Sequence, residues 1–262
     1  MNGQRRLRII GPGRAGRSLG TALESIGWTL HPYLGRDDDP RRAAVGVDLL
    51  VIATPDSSVA PVASAIDPSP ETVVAHLSGS LDLDVLAPHP RAASLHPLVA
   101  MPDAERGRDR LLGGAWFAVA GDPLVVQVAE SLGGHPFEVL DEDRATYHAA
   151  AVIASNHLVA LMGQVERLAA DIGVPREAYL DLARSSLDNV AELGASAALT
   201  GPAARGDWET LARHLAALPA GEEAAYLALA AQARRLVTPD GPGLPTSLTA
   251  VGDRPRPSGL PL

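Results

Sequence analysis

The 262-residue chain contains no cysteine and no lysine, and all 22 of its basic residues are arginine. Without cysteine there can be no disulfide, thiol nucleophile or cysteine-ligated zinc, and the composition fits a reducing compartment, the cytoplasm. Without lysine, Schiff-base and lysine acid–base mechanisms are excluded. Aromatic residues make up only 3%, so few rings are available to stack on a large aromatic substrate. No apolar run is long enough to cross a bilayer. The pair Ile9-Ile10 behind Arg5, Arg6 and Arg8 ends at Gly11, too soon for a signal-peptide core. A net charge of -9 argues against a nucleic-acid partner, which would need a basic surface. No metal is expected.

What is present is a 46% apolar chain, enough for one large domain or two smaller ones. The first half alternates short apolar runs with helical patterns. "LRII", "WTLHPYLG" (weakened by Pro32), "DLLVIATP", "TVVAHLSG", "AASLHP", "AWFAVAG" and "PFEVL" read as strands. "RAGRSLGTALESIG", "SSVAPVASAI" and "PLVVQVAESLGG" read as the helices among them. This alternation predicts an α/β fold with a mostly parallel sheet covered on both faces. Near Asp141 strands disappear. A long helix capped by Asp141 or Asp143 and ended by Gly173 is expected, then further helices from Pro175, from Asp207 and over "GEEAAYLALAAQARRLV". The predicted organisation is a sheet domain over 1–141, an all-α domain over 142–239 and a disordered Pro/Gly-rich tail over 240–262.

"IIGPGRAGRSLG" places Gly11, Gly13 and Gly16 in G-x-G-x-x-G spacing between a strand and a helix, the context of a dinucleotide fingerprint. Gly11 would allow the tight turn, Gly13 the approach of a pyrophosphate, and Gly16 close helix–strand packing. The helix start, with Arg14 and Ala15, offers free N–H groups to the anion. At the tip of the second strand stands Arg36, with acids only after it. An arginine there suits a 2′-phosphate, so NADP is favoured over NAD; the alternative has Arg36 solvated and Asp37 in the acidic position. Thr54, Pro55 and Asp56 end the third strand and would border the cofactor, as would Ser78 in "HLSG". His96 ends a further strand and is a substrate-side candidate. For His76 and His96 alike, a structural role in a strand-end turn is the alternative.

In the helical half, "YHAAAVIASNHL" sets His148, Ala151, Val152, Ser155 and Val159 on one face of an α-helix, with Asn156 at its edge. Histidine as a residue type suits the donation of a proton to a developing alkoxide, which makes His148 the candidate acid, with Asn156 and Ser155 as helpers. The alternative is a helix-packing seam. Ser185, Ser186 and Asn189 form a second polar cluster at helical spacing, which could line the same cleft, with Asn189 as a substrate-binding candidate, or merely face water. Arg205 precedes the helix capped by Asp207 and could hold a carboxylate bidentately; a surface charge or a pairing with Asp207 is the alternative. Apolar residues on more than one face of the segment 143–172 suggest a homodimer formed through the helical domain.

The succession "GPGRAG", "ATPDSSV", "LSGSLDLDVL", "SLHPL", "YHAAAVIASNHLVAL", "LTGPAARGD" resembles bacterial proteins that join a Rossmann-like domain to a helical domain of formerly unknown function, over residues 5–238. That group is similar in layout to pyrroline-carboxylate reductases, ketopantoate reductases, prephenate dehydrogenases and deazaflavin-dependent NADP reductases. The resemblance implies an NAD(P)-dependent oxidoreductase with its active site between the domains, ketopantoate being the leading substrate. The better-known ketopantoate reductases use a lysine that this chain lacks, so His148 with Asn156 would have to take that role. An imine reductase, a prephenate-type dehydrogenase and a non-catalytic NADP-binding module stand as alternatives.

Overall fold

The computed structural model describes residues 4–249, in two compact units divided between His157 and Leu158. In the first unit seven strands form one sheet: β1 (Arg6–Ile10), β2 (Thr29–Leu30), β3 (Leu49–Ile52), β4 (Val73–His76), β5 (Ala92–Pro97), β6 (Trp116–Gly121) and β7 (His135–Glu138). Their order is β2-β1-β3-β4-β5-β6-β7. All neighbours run parallel except β5 and β6. The chain leaves β1 toward β2 and then returns to the other side as β3, which opens a crevice beyond the C-terminal end of β1, where ligands bind in such sheets.

Helices α1 (Arg14–Ser25), α2 (Asp56–Ser64), α3 (Ala104–Leu112) and α4 (Leu124–Ser131) cover the sheet, and α5 (Arg144–Val152) follows it. Every residue of β3 and β4 is buried, as continuous apolar runs covered on both faces must be. Successive side chains alternate between two cores. Leu7, Ile9, Leu49, Val51, Val73 and Ala75 pack with Leu19 and Leu23 of α1 and Val125 and Val128 of α4. Ile10, Leu50, Ile52 and Val74 pack with Val59 and Ala63 of α2. Each such aliphatic side chain contributes roughly 1.5–3 kcal/mol through burial.

Several expectations need correction. The second strand is only two residues long, because Pro32 cannot extend the ladder; a lone parallel bridge, Ile10 to Leu34, resumes it. Helix α3 was not expected, since its arginine-rich sequence has a thin apolar stripe. Asp103 caps it by accepting from the Arg106 N–H at 2.8 Å, and Gly107 lets it lie directly against Ser18 of α1. The long helix after Asp141 is not a single α-helix. A 3-10 turn spans Asp141–Asp143, and neither Asp141 nor Asp143 makes the expected side-chain cap. Between α5 and the next helix, Ile153–His157 is π-helical. The wider π turn shifts the helical phase, so Ser155 and Asn156 leave the face they would share with His148 on a regular α-helix.

The second unit is all-α: α6 (Leu158–Ile172), α7 (Arg176–Leu193), α8 (Ala195–Ala198), α9 (Pro202–Arg205), α10 (Trp208–Ala217), α11 (Glu223–Val237) and α12 (Thr246–Thr249). Gly173, at φ +70°, ends α6, and Asp207 caps α10 through the Thr210 N–H at 3.1 Å. Ala203, Leu211, Leu215, Ala230 and Leu248 form its core. Leu248 also corrects the reading of a disordered tail from residue 240: it is apolar and buried, and it anchors α12. The rest of that tail, 250–262, lies outside the described residues. The unit boundary falls well past the change of pattern near Asp141, because α5 is tied to the sheet by Arg144 and Tyr147.

Candidate functional site

β1 delivers the chain to Gly11, whose φ is +98° and whose N–H donates to the Leu34 carbonyl at 2.9 Å. A Cβ on Gly11 would stand 2.6 Å from the Ala53 carbonyl oxygen, so only glycine fits this turn. A Cβ on Gly16 would strike the Gly11 carbonyl, so Gly16 allows α1 to pack on the strand end. Gly13 has nothing within 4 Å of a Cβ position and leads into α1, whose N-terminus has no side-chain cap. Arg14 is exposed beside it. The helix start is thus uncapped and open beside Gly13, which is what an anion needs.

The neighbouring strand ends complete this edge. Thr54 Oγ1 is buried with no hydrogen-bond partner, a polar atom that a ligand could satisfy. Pro55 leads into α2, and Asp56 at its start accepts from the hydroxyls of Ser78 at 2.9 Å and Ser80 at 2.8 Å. His76 accepts from the Ser78 N–H at Nδ1 and directs Nε2 to the Asp82 carbonyl. Both ring nitrogens are thus spent on the loop that follows β4, and burial, aided by the Arg144 charge, lowers the pKa of His76. Arg36 is exposed. Asp38, not Asp37, turns back to the strand tip and accepts from the Gly35 N–H at 2.7 Å.

At the end of β5, His96 Nδ1 lies 2.6 Å from the Tyr147 hydroxyl. The rings of His96 and His148 meet edge to face with centroids 5.9 Å apart. A Cβ on Gly79 would come within 2.9 Å of both His148 Cδ2 and His96 Cε1, so the two imidazoles close on this glycine and no side chain would fit between them. Burial first, then the charges of His148 and Arg144, push His96 down to about 4. Burial pushes Tyr147 up to about 12. Arg144 is 1% exposed. Its Nε bonds Asp141 at 2.8 Å and its Nη1 bonds Ser94 at 3.1 Å, while Nη2 is without a partner.

The structure thus gathers Gly11, Gly13, Gly16, Thr54, Asp56, Ser78 and His96 at the C-terminal ends of adjacent parallel strands, and brings His148 to His96. Ser155 and Asn156 lie outside that cluster: Ser155 donates to the Ala151 carbonyl and to Asn156, and both residues are exposed. Asn189 on α7 and Arg205 at the end of α9 are exposed residues of the second unit. Sequence reasoning missed Arg144, Tyr147 and Gly79. The first two carried a readable signal, since Arg144, Tyr147 and His148 fall at i, i+3 and i+4. Among the described residues no group of three or more His, Asp or Glu could hold a metal, and no helix is long and apolar enough to cross a membrane.

Residues 117–233 match the model of a family described as Domain of unknown function (DUF2520). The match begins in β6 and runs through α5, His148 and Arg205 into α11. No curated protein matches the sequence. Among solved structures, the chain is similar to BF3122 of Bacteroides fragilis, a candidate NADP oxidoreductase, at 19% identity and a TM-score of 0.73, covering 89% of this chain and 98% of that one. It is similar to a reductive aminase from Aspergillus terreus in complex with NADPH, at 18% identity and a TM-score of 0.67, covering 94% and 98%. It is also similar to a Plasmodium falciparum pyrroline carboxylate reductase with NADP bound, at 14% identity and a TM-score of 0.59, covering 97% and 100%. The shared fold is a Rossmann-type sheet unit followed by a helical unit.

Proposed function

We propose that this chain is an NADP-dependent oxidoreductase that reduces the carbonyl of a small 2-oxo acid, with ketopantoate, and so pantothenate synthesis, as the leading assignment. One observation carries the reading: the glycine turn with its uncapped α1 sits on the same sheet edge as His96 and His148. The residues present fit the cofactor, because Gly11 admits no Cβ, Gly13 is open and Thr54 Oγ1 lacks a partner. The first turn of α1 would hold the pyrophosphate, Thr54 and the Asp56–Ser78 pair would border the cofactor, and Arg36 would meet a 2′-phosphate. A bound reduced nicotinamide would supply hydride.

On the substrate side, His148 would give the developing alkoxide its proton, and Arg205 would bind the carboxylate. The buried Arg144 guanidinium favours a carbonyl over an iminium. It already opposes positive charge at His76 and His96, and it would stabilise negative charge building on an oxygen there. The second reading, imine reduction, draws on the reductive aminase and pyrroline carboxylate reductase whose folds this chain shares over more than nine-tenths of its length. A homodimer through the helical unit is proposed because α7 buries none of its residues and exposes Leu182, Leu187, Val190 and Leu193; light scattering giving the mass of one chain would refute it.

The deciding experiment is NADPH oxidation with ketopantoate, other 2-oxo acids, prephenate and a cyclic imine. His148→Ala should lower kcat by ~10²-fold or more if His148 is the acid, and Arg205→Ala should mainly raise KM. Turnover of the imine alone would move the assignment to the second reading. Cofactor binding without turnover of any substrate would make the chain a binding module.

A further inference from the structure

Two imidazoles pack against Gly79, but only one is held. His148 makes no side-chain hydrogen bond among the described residues, whereas His96 is bonded at Nδ1 to Tyr147 with its Nε2 left unpartnered. A phenol O–H is a good donor and a neutral imidazole nitrogen a good acceptor, which favours donation from Tyr147 to His96. The groups facing His96 are Tyr147, His148 and Arg144 of α5, His76 of β4 and Asp56 of α2; Asp56 is the only anion among them and is already shared by two serines. Tyr147 is itself fixed edge-on by Phe137 of β7, with centroids 5.8 Å apart.

We propose that Tyr147 is a positioning residue: by donating its hydroxyl proton to Nδ1 of His96, it locks the neutral tautomer that carries its proton on Nε2 and leaves that N–H, beside Gly79 and His148, for the substrate carbonyl oxygen to accept. Nε2 of His96 has no partner and is not among the unpartnered atoms shut off from solvent, so an oxygen can approach it. The proposal rests on the oxidoreductase reading and divides its labour. The carbonyl carbon gains hydride, the oxygen gains a proton from His148, and His96 keeps its proton while holding the oxygen. Two adjacent histidines thereby act as separate donors instead of competing for one role.

The test is nitrogen NMR of the full chain carrying 15N-histidine, with the His96 signals assigned by their loss in His96→Gln. The wild type should show His96 with its proton on Nε2 from pH 8 to pH 5. Tyr147→Phe keeps the ring packing, so the expected results are a mixture of both tautomers, an upward shift in the protonation midpoint and a fall in kcat of about tenfold at unchanged NADPH affinity. A wild-type proton on Nδ1, or a Tyr147→Phe variant with the wild-type tautomer and kcat, overturns the proposal while leaving the oxidoreductase reading intact. If the tautomer responds as expected but no carbonyl or imine is reduced, the oxidoreductase reading fails and takes the substrate half of the proposal with it.

Discussion

The Asp56 carboxylate stands 2.9 Å from the Ser78 hydroxyl and accepts its hydrogen bond, tying the loop after β3 to the loop after β4. Ser78 in turn accepts from the N–H groups of Ser80 and Leu81. Asp56→Ala removes the shared acceptor of two hydroxyls. Faster amide exchange is expected over residues 77–82, together with NADPH binding weakened by about tenfold. Exchange measured by mass spectrometry and a fluorescence titration check this; unchanged exchange in that loop would show that Asp56 does not organise it.

Arg36 is exposed and forms no ion pair among the described residues, so its guanidinium is free to meet a phosphate. NADPH should bind more tightly than NADH. Arg36→Ala should weaken NADPH binding by about tenfold, the loss of one charge-assisted contact, and leave NADH unaffected. Paired dissociation constants for both cofactors decide the point, and a wild type that prefers NADH would refute it.

Gly79→Ala would drive a methyl group against both His96 and His148 and force the rings to shift, while the glycine's φ needs no special freedom. The expected result is a protein that folds and binds NADPH as the wild type does, with turnover lost. Normal turnover in this variant would mean that the chemistry does not depend on the placing of these two rings.

The depressed histidines give folding stability a defined pH dependence. His96 is pushed from an ordinary 6.5 down to about 4, and His76 is also lowered. The unfolded chain therefore takes up protons at these sites at a higher pH than the folded one. Their contribution is fully present above about pH 6.5, is lost as pH falls from there toward 4, and amounts to at most about 3 kcal/mol for His96. Urea denaturation between pH 7.5 and 4.5 should show the slope, and His96→Gln should flatten it. A slope unchanged in that variant would count against the assignment.

The legibility of this chain from its sequence varies from element to element. The buried strands stood out because runs such as Leu49–Ile52 are apolar throughout, and the glycine turn because its three spacings have separate steric causes. Helix α3 was hidden, since it packs through Gly107 on Ser18 rather than through a broad apolar face. The π-helical segment at Ile153–His157 contains no glycine or proline to announce it, so helical phase beyond Val152 could not be read. The bond between His96 and Tyr147 joins residues 51 apart in the chain. The helical spacing of Arg144, Tyr147 and His148 was visible, but not the strand end that they would meet.

Arg144 combines near-complete burial with a guanidinium that bonds only Asp141 and Ser94. A guanidinium cannot shed its proton in any ordinary environment, whereas an ammonium group so enclosed can. In a chain without a single lysine, the field that Arg144 casts over His76 and His96 is a fixed setting, the same in acid and alkali. Arg144→Lys would turn that setting into a dial. The site's electrostatics would then follow the solution as the new amine gained and lost its charge, and the two histidines would titrate differently on either side of that transition.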